Sequence, residues 1–331
     1  MIRLEDTNGS AVAAEIAAER HRMGSPATGM VLNLLVLTDE ENQADATAVA
    51  AFSAQEHPMR ILVLIPRRGR VKPRLDAEIS VGGDEGPGEI AVLRLHGELS
   101  QHPGSVAIPL LLSDTPVVSY WPTDAPDVPH ENTIGAHAQR RITDATASAR
   151  QMQALNKRVK GYFPGDTDLA WTMTTAWRTL LAATLDQPHP PIIGAEVSLP
   201  KTHASGHLLA SWLGSRLKVP ASVVNSKGPG ITSVRLITPE GDIAIARPDG
   251  STARLSRPGL PPATIALPRR SRADALTEEL RRLDPDEIYG EALAGLNAVK
   301  QGRLKIDRPG TPITKKSKKR SSKNKKSGAK K

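Results

Sequence analysis

The sequence predicts an α/β protein with a Rossmann-like, mostly parallel N-terminal sheet, a central helical connector, an α+β C-terminal domain and a disordered Lys-rich tail. Three observations carry this. Two continuous apolar runs, MVLNLLVL at 30–37 and RILVLI at 60–65, flank a polar, alanine-rich segment. Strand, helix, strand is a βαβ unit, and strands apolar on both faces suit a parallel sheet covered by helices on both sides. Residues 168–185, DLAWTMTTAWRTLLAATL, place apolar side chains at three- and four-residue steps, the period of one amphipathic helix. Beyond residue 230, short β-rich runs are separated by Pro239-Glu240-Gly241 and Pro248-Asp249-Gly250, where Pro sets φ and Gly supplies positive φ.

In chain order, residues 1–25 read as a capped N-terminal helix, with Val12, Ile16 and Ala17 on one side. The α/β domain spans 26–146. Its strands are 30–37, 60–65, 75–81, 89–95, 116–121 and 140–146, with a glycine-rich hairpin loop between the third and fourth. A helix is expected over 39–55 and another over 100–112. The helical connector spans 147–188. Within it, Asp166 and Thr167 are candidate N-caps for the 168–185 helix, and Pro188 closes it. Six residues at about 100° each put Trp171 and Trp177 roughly 120° apart, so they do not share a face. Trp177 belongs to the core stripe, and Trp171 with Arg178 faces elsewhere, toward a second domain or a partner; the alternative is that both tryptophans are ordinary core residues. The α+β domain spans 189–300, with strands at 192–199 and 221–225, a helix at 203–217 and a meander over 231–255. Two helices, 274–283 and 285–298, close it, the second with Asp284 as N-cap and Pro285 at N1. Residues 301–331 form the basic tail, with order fading after Lys300.

The chain has 331 residues, enough for about two domains at roughly 150 residues each. It has no cysteine, which removes disulfides, thiolate metal sites and a cysteine nucleophile together. The N-terminus lacks an apolar signal-peptide region, and no apolar run approaches the roughly 20 residues of a membrane span. A soluble, cytoplasmic protein is expected. The net charge of +9 is a property of the tail. Residues 315–331 hold ten Lys or Arg and no acid, leaving 34 basic against 35 acidic residues in the rest. The body therefore carries no electrostatic footprint for nucleic acid, which could bind only non-specifically through the tail.

The sequence offers no catalytic signature. It has no G-x-x-x-x-G-K-[ST] loop, no G-x-S-x-G elbow and no G-x-G-x-x-G turn. The residues after Leu37 are TDEENQ, whose acids would repel a pyrophosphate. His203 and His207 stand four apart near a helix start, a metal-ligand spacing, but without H-E-x-x-H or a third ligand. His96 and His102 flank Glu98, and a polar loop is the preferred reading over an acid–base group. Asp124 and Asp144 follow strands and could line a cleft beyond the carboxyl ends of the sheet, or cap loops. Lys227-Gly228-Pro229-Gly230 reads as a turn. No metal and no cofactor is expected.

Taken together, the VLNLLVLTDEE strand and turn, HPMRILVLI, VAIPLLLSDTPVVSYWP, RRITDAT, DLAWTMTTAWRTLLA and LLASWLGSRL resemble the OpcA family, the glucose-6-phosphate dehydrogenase assembly proteins of bacteria. The combination of a D-L-x-W-T-x-x-T-x-W-R helix with a P-V-V-x-x-W strand is the specific part. The resemblance covers roughly 25–300. It implies a non-enzymatic subunit that binds glucose-6-phosphate dehydrogenase, promotes its oligomeric assembly as an allosteric activator and supports NADPH production. Such a protein works through aromatic and Arg anchors, and Trp121, Trp171 and Arg178 are the candidates for partner binding. The rival reading is a sugar-phosphate-binding enzyme or sensor on an α/β fold.

Overall fold

The computed structural model describes residues 1–24, 29–82 and 88–306. Most of the glycine-rich hairpin loop and the Lys-rich tail lie outside the described residues.

The first half builds an eight-stranded sheet from β1 (Ile2–Thr7), β2 (Leu32–Leu37), β3 (Met59–Arg67), β4 (Arg74–Val81), β5 (Glu89–His96), β6 (Val117–Trp121), β7 (Arg140–Thr143) and β8 (Asp166–Asp168). Their spatial order is β1-β4-β5-β3-β2-β6-β7-β8. The six strands from β5 to β8 are mutually parallel, while β4 runs antiparallel to both its neighbours. The Rossmann-like reading is thus correct. Successive side chains of β2 and β3 serve opposite helical layers. Leu34, Val36, Ile61, Val63 and Ile65 join one core with α2 (Gln43–Ala54). Leu35, Leu62 and Leu64 join another with α1 (Gly9–Arg22) and α3 (Pro103–Ala107).

Three expectations need correction here. Residues 2–7 are a strand, and only Gly9–Arg22 is helical, capped by Asn8. β1 finds its pairing partner in β4, 70-odd residues away, which outweighs local helix pattern. Asp166 and Thr167 cap nothing: they lie in β8, beside β7. The cap is Asp168, whose carboxylate accepts from the Ala170 amide. Finally, the 168–185 segment is two helices, α5 (Leu169–Thr172) and α6 (Thr175–Leu185). They follow α4 (Gln151–Gly161). Thr174 folds back at the break, donating its hydroxyl to the Trp171 carbonyl at 2.7 Å.

The second sheet uses β9 (Gly194–Leu199), β10 (Ala221–Asn225), β11 (Ser233–Ile237), β12 (Ile243–Ala246), β13 (Thr252–Arg257), β14 (Leu260–Ala266) and β15 (Lys300–Gln301). Its order is β14-β13-β12-β11-β9-β10-β15, antiparallel from β14 to β9 and parallel from β9 to β15. α6 and α7 (Ala204–Leu217) cover one face through Trp177, Leu181, Leu209 and Leu213. At the end of the described residues, Lys300 pairs with Ser222, and the Leu304 amide donates to Glu196 at 2.7 Å.

The chain then returns to the first sheet. α8 (Arg272–Glu279) carries Ala275 and Leu276 into the core shared with α2. α9 (Glu287–Ala294) packs with α4, α5 and α7 in a junction cluster that contains Trp171, Leu155, Leu208, Tyr289 and Leu293. The N-cap of α9 is Asp286, not Asp284, and Pro285 precedes it.

Candidate functional site

The junction between the sheets is built on Asp168. This fully buried carboxylate accepts from Thr143 Oγ1 at 2.6 Å, the Ala145 amide at 3.0 Å and the Ala170 amide at 2.9 Å. Burial pushes its carboxyl up, and these donors oppose the shift. It thereby fixes the entry of α5 and the position of Trp171. Trp171 is wholly buried, and its Nε1 donates to Asp286 Oδ2 at 2.8 Å. The other oxygen of Asp286 accepts from the Tyr289 amide at 2.9 Å. One side chain therefore caps α9 and ties it to α5, which explains why the cap lies at Asp286.

Seven residues after Trp171, on α6, the Arg178 guanidinium stacks 3.7 Å from the Trp171 ring centroid. Its Nε donates to Thr174 Oγ1 at 3.1 Å and its Nη2 to Thr175 Oγ1 at 2.9 Å. Burial lowers the pKa of Arg178, while Asp286, Glu278 and Glu279 work against that. Arg178 is half-buried and lines a cleft of ≈ 520 Å³ with Arg140, Arg282, Glu278 and Asp286. Arg140 pairs with buried Glu279, which also accepts from Thr172. The cleft is a stiff, charged surface in which the Arg178 donors engage neutral hydroxyls.

The structure thus brings two of the three candidate partner-binding residues together and leaves Trp121 apart. Trp121 ends β6, is 1 % exposed and packs in the core with α1 and α3. Of the three, Arg178 is half-buried, while Trp171 and Trp121 are 0 % and 1 % exposed. The residues that complete the junction, Asp168, Asp286 and Glu279, carried no sequence signal beyond helix-cap patterns.

Asp124 and Asp144 do line a cleft at the carboxyl ends of β6 and β7, ≈ 390 Å³ in volume, with Arg150, Lys157 and Arg158. Burial and the nearby Asp168 push the Asp144 carboxyl up to about 6. Arg272 Nε lies 3.1 Å from Asp144 Oδ2, within ion-pair range but off the line of a hydrogen bond. His203 caps α7 by accepting from the Gly206 amide at 3.2 Å, and His207 Nδ1 contacts the His203 carbonyl at 3.0 Å. Among the described residues no group of His, Cys, Asp and Glu is arranged to hold a metal ion. His96 pairs with Asp76 at 2.9 Å. Lys227–Gly230 is the connection between β10 and β11, with Gly230 at φ +73°. Among the described residues no helix is long and apolar enough to cross a membrane.

Structural comparison finds a 3-ketoreductase from Actinomadura kijaniata, solved with TDP-benzene and NADP, at 10 % identity and TM-score 0.43, covering 83 % of this chain and 100 % of that one. An NAD-binding oxidoreductase from Klebsiella pneumoniae follows at 9 % identity and TM-score 0.38, covering 81 % and 96 %. Both likenesses are too loose to bear on activity or ligand. No curated protein matches the chain. Two family models do match: the glucose-6-phosphate dehydrogenase subunit N-terminal domain over residues 50–160, and the C-terminal domain of the same subunit over 164–293. The chain belongs to the OpcA family of glucose-6-phosphate dehydrogenase subunits.

Proposed function

We propose that this protein is a non-catalytic subunit that binds glucose-6-phosphate dehydrogenase and promotes its active oligomer. It thereby supports NADPH production in the cytoplasm through the oxidative pentose phosphate pathway. The observation that carries this reading is the match of both halves of the chain to the two domains of that subunit family. A partner that binds the active oligomer more tightly than the inactive form shifts the equilibrium by its differential affinity and no more. Tens-fold activation requires about 2 kcal/mol, within the usual range of coupling energies.

The Arg178 cleft is the contact surface that best suits this role. A guanidinium already stacked on a buried indole loses little freedom when it meets a partner, and Arg in a half-buried site is a typical anchor. Trp121 and Trp171 then serve the contact as supports: Trp171 beneath Arg178, Trp121 within the first sheet. The test is sedimentation velocity of the dehydrogenase with and without the full chain. A faster boundary containing both proteins is expected, and independent sedimentation at micromolar concentrations would refute the proposal. Deleting residues 315–331 should leave the complex intact.

A further inference from the structure

The parallel sheet reverses its winding between β2 and β6: β3 and β5 lie on one side of β2, and β6, β7 and β8 on the other. Connections leaving the two strands diverge at such a switch point and open a crevice beyond their carboxyl ends. Here the crevice measures ≈ 430 Å³ and is lined by Thr38 and Asp39 after β2, Arg68 after β3, and Trp121 and Asp124 at the end of β6. A second cavity of ≈ 700 Å³ shares Leu37, Pro66 and Arg68 with it. These volumes are those of small-molecule sites, roughly 300–1,000 Å³.

Two residues of the wall carry a buried polar atom without a partner among the described residues. Thr38 is 7 % exposed and Trp121 1 % exposed, yet among the described residues neither Thr38 Oγ1 nor Trp121 Nε1 has a hydrogen-bond partner. Buried polar groups are nearly always satisfied, and an orphan costs about 1–3 kcal/mol. The indole N–H is a donor only, so its missing partner is an acceptor. Arg68 adds an exposed cation, and Arg70 and Lys72 follow it on the same exposed loop. Asp39 and Asp124, also exposed, contribute acceptors suited to hydroxyl groups and hostile to a polyanion. The donor set calls for one anionic head, and the acceptor set for neighbouring hydroxyls.

We propose that this crevice binds a small polyhydroxylated compound carrying a single phosphate or carboxylate group, held by Arg68, Trp121 Nε1 and Thr38 through the anion and by Asp39 and Asp124 through hydroxyls. The site belongs to this chain alone and does not rest on dehydrogenase binding. A subunit with such a site senses a metabolite as well as contacting a partner.

Isothermal titration calorimetry of the full chain with glucose 6-phosphate, gluconate and, as neutral control, glucose tests the proposal. Saturable binding of one or both anions and none of glucose is expected, and which anion binds identifies the head group. Trp121→Phe, which keeps an aromatic ring but removes the N–H, should weaken binding at least tenfold. Arg68→Gln, on an exposed loop, should do the same with an unchanged circular dichroism spectrum, and it serves alone if Trp121→Phe does not fold. Silence with both anions, equal binding of glucose, or anion affinity unchanged in Arg68→Gln would overturn the assignment.

Discussion

Strand β3 lies between two helical layers, whereas β14 lies at the outer edge of the second sheet. Six residues of β3, Met59 and Ile61 through Ile65, have exposures of 1 % or less. In β14 nearly every residue is exposed, with Leu260 at 59 %. The sequences differ accordingly. MRILVLIPR is apolar on both faces, while LPPATIA carries two prolines, which a strand tolerates only where a neighbour is missing. Between these extremes stands β9, where Ala195, Val197 and Leu199 face the helices and Glu196 pairs on the other side with Arg235. The first sheet is held by burial on two sides, the second by burial on one side and by ion pairs and edge chemistry on the other.

If the junction couples the two sheets, its loss should be felt by both. Trp171→Ala removes a fully buried indole and the hydrogen bond to Asp286. A cost of about 3–5 kcal/mol is expected, with one cooperative transition for the whole chain. Separate melting of the two halves in the wild type would break the comparison's premise of a shared core. Next in size, Leu62→Ala should cost about 2–5 kcal/mol and Leu260→Ala less than about 0.5 kcal/mol by urea denaturation. Equal costs would contradict the layer assignment.

Two titrations sharpen the contrast through opposite signs. Asp144, at the end of the first sheet, is pushed up to about 6 by burial and by Asp168. Its unfolded value is near 4. The folded state therefore holds the proton more tightly between about pH 4 and 6, and stability falls as pH rises through that window. His203, beside the second sheet, is pushed down to about 4 by burial and by Arg269. Its contribution is present above about pH 6.5 and is lost as pH falls toward 4. Asp144→Asn should thus gain on the order of 1–3 kcal/mol at pH 7 relative to pH 4. His203→Asn, which keeps a capping acceptor, should flatten the acid limb instead. Urea melts across pH 4–7 read both, and shifts of the same sign would contradict these assignments. A modest stability effect is expected at Arg178. Arg178→Ala loses one cation–π contact, about 1 kcal/mol, and two part-buried hydrogen bonds to threonine hydroxyls, yet should above all weaken dehydrogenase activation, several-fold. A large melting shift with unchanged activation would move the contact surface elsewhere.

The sequence made β2, β3, β5 and β6 readable because each is a run of apolar residues with turn chemistry at its ends. Trp171 and Trp177 do enter different clusters, but because they lie on two helices, α5 and α6, and the roughly 120° of a single continuous helix is not the cause. β1 and β8 were hidden for a physical reason. IRLEDT and DTD have few or no apolar side chains, and only a distant partner makes them strands. The break at Met173–Thr174 was hidden because periodicity continues across it. A cleft at Asp124 and Asp144 was one of two readings of residues that follow strands, the other being loop caps, and Asp144 does both. By contrast, the orphaned Thr38 and Trp121 atoms depend on what surrounds them in three dimensions.

The central claim is that this subunit raises the activity of glucose-6-phosphate dehydrogenase by building its oligomer. The most direct measurement is the rate of the dehydrogenase from the same cell, with and without this protein, read alongside mass photometry of the same mixtures. A higher rate appearing together with a heavier species that contains both proteins is the predicted result. An unchanged rate with only the separate masses present would contradict it.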